Sequence, residues 1–123
     1  MTKPLITLIL YISLITCVAQ AQTGTASYYT VESCKKEGTS GIMANGKELD
    51  DNAKTVASWD YKFGTVLLVK NLENGKTVRV MVSDRGPARR LYRMGRIVDL
   101  SRAAFSAIAD PRKGVIRIEI KEL

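Results

Sequence analysis

Polar and apolar residues alternate most cleanly near the C-terminus. From Gly114 to Lys121, Ile116, Ile118 and Ile120 fall on one side and Val115, Arg117, Glu119 and Lys121 on the other. A period of two is that of a half-buried β-strand. Thr77–Val82 (TVRVMV) repeats the pattern. Thr65–Leu72 (TVLLVKNL) is a continuous apolar run, which predicts a strand buried on both faces for part of its length. Asn74-Gly75 between these two runs predicts a tight hairpin. Gly24–Tyr29, Thr55–Ala57 and Arg96–Leu100 read as shorter strands, with aromatic or β-branched residues in each. One stretch has helical spacing: Ala103, Ala104, Phe105 and Ile108 form a stripe, Ser101 can cap it, and Asp110-Pro111 ends it at about Ala109. Residues 30–54, with Gly38, Gly41 and Asn45-Gly46, read as a long irregular loop. Long ordered loops are often functional. Five or six strands and one helix predict a mainly β chain, able to close into a small barrel without exposed edges.

The first 21 residues stand apart from this pattern. Lys3, the apolar run Leu5–Ile15 and the small-x-small triplet Ala19-Gln20-Ala21 predict an export signal cleaved after Ala21. The run is short for a membrane-spanning helix. Leu14-Ile15-Thr16-Cys17 resembles a lipobox, so anchoring through Cys17 is the alternative; Thr16 fits that pattern poorly. Cleavage leaves Gln22–Leu123 as one domain, with 18 basic and 12 acidic residues and a charge of +6. That charge suits anionic partners, and export favours a wall polymer or lipid headgroups over nucleic acid. We expect a monomer located in the periplasm or outside the cell. Without Cys17, Cys34 has no internal disulfide partner. The chain has no histidine, which argues against His-dependent nucleophilic catalysis and a zinc centre. No metal and no cofactor are expected.

Four separated motifs change the picture. They are GTASYY at 24–29, MANGKELD at 43–50, FGTVLLVKNLENGKTVRVMVSDRGP at 63–87 and GRIVDLSRAAFSAIA at 95–109. In this order and spacing they resemble the RlpA-like double-psi β-barrel family across residues 22–123. The resemblance implies a six-stranded barrel with one short helix. It implies endolytic lytic transglycosylase activity on peptidoglycan glycan strands, preferring strands without stem peptides. Many members carry a further peptidoglycan-binding domain after the barrel; none follows in these residues, and we expect the barrel to act without one. Expansins share the barrel, so a non-catalytic glycan-binding or wall-loosening module is the alternative. A small exported inhibitor or partner-binding barrel is a third class. The chain departs from the family pattern twice. Lys47 stands where members usually have a glutamate, and Ser58 where they usually have a histidine. The resemblance implies that activity needs both.

A lytic transglycosylase can work with one carboxyl group, provided its pKa is raised. Asp99 is the first candidate, at the end of a strand and matching the cleft aspartate of expansins. The bland alternative has it bonding free amides at a helix start. Asp84 is the second candidate, although Asp84-Arg85-Gly86-Pro87 also resembles a turn whose carboxylate accepts backbone N–H groups. Asp50, matching a family aspartate, and Glu48, one place beyond the expected carboxylate, are further possibilities; Asp51 reads as a solvated turn residue. Trp59, Tyr28 and Tyr29 are candidate sugar platforms, with Trp59 expected to be exposed; only one tyrosine should face a given cleft, because neighbours on a strand point opposite ways. Asn45, Arg85 and Arg96 are candidate substrate-binding residues. Arginines 85, 89, 90, 93, 96 and 102 against Asp99 make residues 85–102 locally +5. A charge run is usually a solvated face; here it also suits the carboxylates of peptidoglycan.

Overall fold

A computed structural model describes residues 21–123. The expected export signal, apart from Ala21, and Cys17 lie outside the described residues. Six strands follow in chain order: β1 (Gln22–Tyr29), β2 (Thr55–Ser58), β3 (Val66–Asn71), β4 (Thr77–Asp84), β5 (Arg96–Ser101) and β6 (Ile116–Glu122). They close into a barrel in the order β1-β5-β2-β4-β3-β6. The β1/β5 and β2/β4 pairs are parallel, and the other four are antiparallel. Sequence neighbours β3 and β4 form the expected hairpin around Asn74-Gly75, where Gly75 has φ of 73° and its N–H donates to Asn71 O at 2.8 Å.

Alternation set the core as expected. Ile116, Ile118 and Ile120 are buried, and so are Val78, Val80 and Val82. The apolar run in β3 also alternates: Leu67, Val69 and Asn71 are buried, whereas Val66 and Leu68 are only half-covered. The expectation of a doubly buried strand is corrected here, because in a closed barrel the outer face of β3 meets solvent and no second layer. Each fully buried aliphatic side chain contributes about 1.5–3 kcal/mol of apolar transfer.

Three helices form where one was expected. The anticipated one, α3 (Arg102–Ile108), packs Ala104, Phe105 and Ile108 into the core, and Ser101 Oγ accepts from Ala104 N at 3.3 Å as its cap. Its last carbonyl, Ile108 O, accepts from Asn71 Nδ2 at 2.8 Å, which satisfies that buried amide. The loop at 30–54 is partly helical: α1 (Val31–Lys36) starts with a capping box between Thr30 and Ser33. Ser33 stands where Glu or Gln usually completes the box, so the signature was weak. Asp51 is half-buried; its carboxylate accepts from Val31 N at 3.0 Å and its carbonyl from Ala103 N, tying this loop to α1 and α3. The third helix, α2 (Arg89–Arg93), has five residues and no side-chain cap. A single turn of that length carries no periodic signal. None of the helices among the described residues is long and apolar enough to cross a membrane.

Candidate active site

The site begins with β2. Ala57 pairs with Asp84 of β4 on one side and with Asp99 of β5 on the other. Asp99 in turn pairs with Ser27 of β1. Four adjacent strands thus present one row, Asp84–Ala57–Asp99–Ser27, and all four residues line a cleft of about 450 Å³. Strand spacing puts the two aspartate backbones roughly 10 Å apart. The methyl group of Ala57 lies between them and keeps the row open.

Both parallel pairs slip register beside this row. On β5, Arg96 pairs with Thr25 and Val98 with Ala26, leaving Ile97 as an extra residue. On β4, Val82 pairs with Val56 and Asp84 with Ala57, leaving Ser83 extra. Bulges re-aim side chains. Here one of them lets Arg96 line the same cleft as Asp99, although simple alternation would put residues three apart on opposite faces. Gly24 lets β5 approach closely: a Cβ there would lie 2.9 Å from Gly95 O.

The two aspartates differ in their partners. Asp84 Oδ1 accepts from Ala44 N and Arg85 N, both at 2.8 Å, and Oδ2 accepts from the Tyr29 hydroxyl at 2.8 Å. The backbone bonding expected of its turn motif is therefore present. Burial, then the Asp84 carboxylate, push Tyr29 well above the usual tyrosine pKa, so its hydroxyl stays a donor. Asp99 does not bond the start of α3, where Ser101 is the cap. It accepts from Ser27 Oγ. Burial raises the Asp99 pKa, opposed by the Ser27 hydrogen bond and Arg96 and reinforced by Glu37 and Asp84.

Tyr28 and Tyr29 both line the cleft, where only one was expected. The cleft runs over the end of β1, so it touches successive residues. Their roles still differ: the Tyr28 ring packs on Phe105 with centroids 4.7 Å apart, and its hydroxyl donates to Pro111 O at 3.2 Å. Trp59 lies outside the lining residues and is half-buried. Its Nε1 donates to Pro87 O at 2.7 Å, and the Arg89 guanidinium covers its ring at 3.7 Å. Arg85 lines the cleft, but its Nη1 donates to Ser58 O and Tyr61 O, each at 2.7 Å, and it stacks on Phe63.

The loop 41–49 forms the opposite wall through Ile42, Met43 and Leu49. Its polar residues face elsewhere. Lys47, Glu48 and Asp50 are exposed and outside the lining; Glu48 bridges to Ile42, and Asp50 Oδ1 accepts from Asn52 N at 2.9 Å in a local turn. Asn45 is also outside the lining, with Oδ1 accepting from Lys47 N at 3.0 Å. Ser58 is fully buried, its Oγ accepting from Asp60 N at 3.1 Å. Ser27 and Ala57 were missed as site residues. A small residue in a strand carries no chemical signal until its cross-strand neighbours are known. Cys34, free and half-buried, lines the cleft from α1.

A family model described as lytic transglycolase matches residues 21–120. A Treponema pallidum protein named probable endolytic peptidoglycan transglycosylase RlpA is 42% identical over 97 residues, covering 79% of this chain and 28% of that protein. An Aquifex aeolicus protein of the same name is 43% identical over 101 residues, covering 81% and 40%. The chain thus spans less than half the length of these relatives. Among solved structures, a Streptomyces papain inhibitor is similar with a TM-score of 0.63 and 29% identity, covering 85% of this chain and 94% of that one. An apo Clavibacter michiganensis expansin has a TM-score of 0.58 and 27% identity, covering 85% and 50%. Motifs, barrel and family match agree: this chain belongs to the lytic transglycolase family of double-psi β-barrels.

Proposed function

We propose that this chain acts on peptidoglycan as an exported endolytic lytic transglycosylase, with Asp99 as its acid–base group. The observation that carries this reading is a desolvated carboxyl with a raised pKa in a cleft. In its acid form Asp99 gives a proton to the glycosidic oxygen as the bond from the muramyl C1 to that oxygen breaks. The resulting carboxylate takes the proton of the sugar's own 6-hydroxyl, whose oxygen bonds to C1 and closes a 1,6-anhydro ring. No water is consumed, and Asp99 ends protonated, ready for another turn. One group serving in both forms suits a pKa displaced toward the working pH. The rate falls as pH rises through the Asp99 pKa, because the first step needs the acid. Asp84, held by three donors, keeps the wall beside the scissile bond in place.

The names of the RlpA relatives support the substrate and reaction class. Peptidoglycan lies outside the cytoplasmic membrane, in keeping with an export signal over residues 1–21. The test is mass spectrometry of sacculi stripped of stem peptides, after incubation with the protein. Anhydro-muramyl ends that disappear with Asp99→Asn support the reading. Bound but uncut glycan favours the second reading, a wall-binding module of expansin type. That reading draws on the expansin likeness and on the exposed Lys47 and buried Ser58 at the two departures from the family pattern.

A further inference from the structure

Arginines crowd residues 85–102, but the structure uses them differently. Arg85 is held by two carbonyls and Phe63, and Arg89 lies on Trp59. Arg90, Arg93 and Arg102 are exposed and outside the cleft lining. Arg96 is half-buried and lines the cleft. Its Nε is buried, yet no acceptor among the described residues takes its hydrogen bond. It also forms none of the ion pairs found among the described residues. A buried guanidinium N–H without an acceptor is costly, and it calls for a compensating contact from water or from a bound group. The bulge at Ile97 is what turns Arg96 to the same cleft as Asp99. A cation with no ion-pair partner among the described residues therefore shares the cleft with the candidate acid, and its charge is felt there.

We propose that Arg96 is the anion anchor of the cleft, and that it takes the lactyl carboxylate of a muramyl residue whose stem peptide has been removed. The assignment rests on the peptidoglycan reading above. The lactyl arm hangs from C3 of the same sugar ring whose C1 reacts, so a group that holds it also orients the reacting bond. With a stem peptide attached, the lactyl carbonyl is a neutral amide. Peptide removal frees a carboxylate, the acceptor that a planar guanidinium fork fits best. Arg96 thereby gives a physical reason for preferring stripped strands. A negative charge docked on Arg96 also weakens the opposition of that residue to protonation of Asp99.

The test is binding, measured on the Asp99→Asn protein so that turnover does not intervene. Four ligands of equal length are compared: stripped muramyl oligosaccharide, the same with its lactyl carboxylates converted to methylamides, peptide-bearing strands, and chitin oligosaccharide. Stripped glycan is expected to bind about 10-fold or more tighter than the methylamide form, the usual scale for a charged hydrogen bond. Arg96→Met should bind these two forms alike, and Arg96→Lys should fall between. Circular dichroism checks that the variants fold, and the comparison of ligands on the protein that keeps Arg96 needs no substitution at that position. Equal affinity for the free and methylamide forms, or a ratio unchanged in Arg96→Met, overturns the proposal. Tightest binding to peptide-bearing strands overturns it in favour of a stem-peptide carboxylate. If the protein cuts no glycan, the transglycosylase reading fails, while the ratio of affinities still decides the role of Arg96.

Discussion

Asp84 and Asp99 sit on either side of Ala57, each just past a register slip in a parallel strand pair. Their surroundings are nonetheless opposed. Asp84 accepts from two backbone amides and a tyrosine hydroxyl, so its oxygens are engaged by the protein itself. Asp99 has Ser27 as its hydrogen-bond donor, and burial shifts its pKa upward. The same side chain on the same row is thus braced by three donors at one place and held by one donor in a desolvating pocket at the other. Donor supply and burial make the difference, the two factors that set paired carboxylates apart in general.

The contrast breaks first on activity. Asp99→Asn should lower glycan cleavage about a thousandfold, the scale of a lost general acid. Asp84→Asn keeps an acceptor oxygen and should cost about tenfold or less through looser positioning. Equal losses in a quantitative assay of anhydro-muramyl ends would erase the distinction. Stability should reverse the order. Asp84→Ala strands the Ala44 and Arg85 amides and the Tyr29 hydroxyl, and should destabilise by about 2–3 kcal/mol in urea unfolding. Tyr29→Phe removes one of these bonds and should cost about 1 kcal/mol in the same measurement.

The smallest effect has the opposite sign. The folded Asp99 holds its proton to higher pH than the unfolded chain does. Stability from this group is therefore fully present below the ordinary carboxylate pKa, and is lost as pH rises through the raised one. Asp99→Asn removes that loss. Its melting temperature should exceed that of the natural protein at pH 7, with the gain shrinking on acidification. A variant less stable than the natural protein at pH 7 would mean that Asp99 is braced like Asp84.

Much of the fold was legible in local pattern. Ile116, Ile118 and Ile120, the Asn74-Gly75 hairpin and the Ser101 cap were read correctly, because each depends on residues within a few positions. The helices α1 and α2 escaped because one starts with an atypical capping box and the other is a single turn. Within the candidate site, Asp84 and Asp99 stood out as acids at strand ends, and Arg85, Arg96, Tyr28 and Tyr29 are in the lining. Trp59 looked exposed in a polar segment, yet Arg89 covers its ring, a contact across 30 residues that no local window contains. Glu48 and Asp50 lay within a family motif, and their loop turns them to solvent while Met43 and Leu49 take the inner side.

By itself the sequence determined the strands, the core side of β4 and β6, the family, and two acids worth testing. These follow from periodicity and from motifs with fixed spacing. Only the tertiary structure decided that Ser27, Ala57, Asp84 and Asp99 form one row, and that Arg96 lines the same cleft without an ion-pair partner among the described residues. That outcome depends on which strands pair and in what register, and a slip of one residue at Ile97 or Ser83 redirects the side chains around it. Strand pairing is set by closure of the whole barrel, so the roles of the two aspartates were not written in their own neighbourhoods.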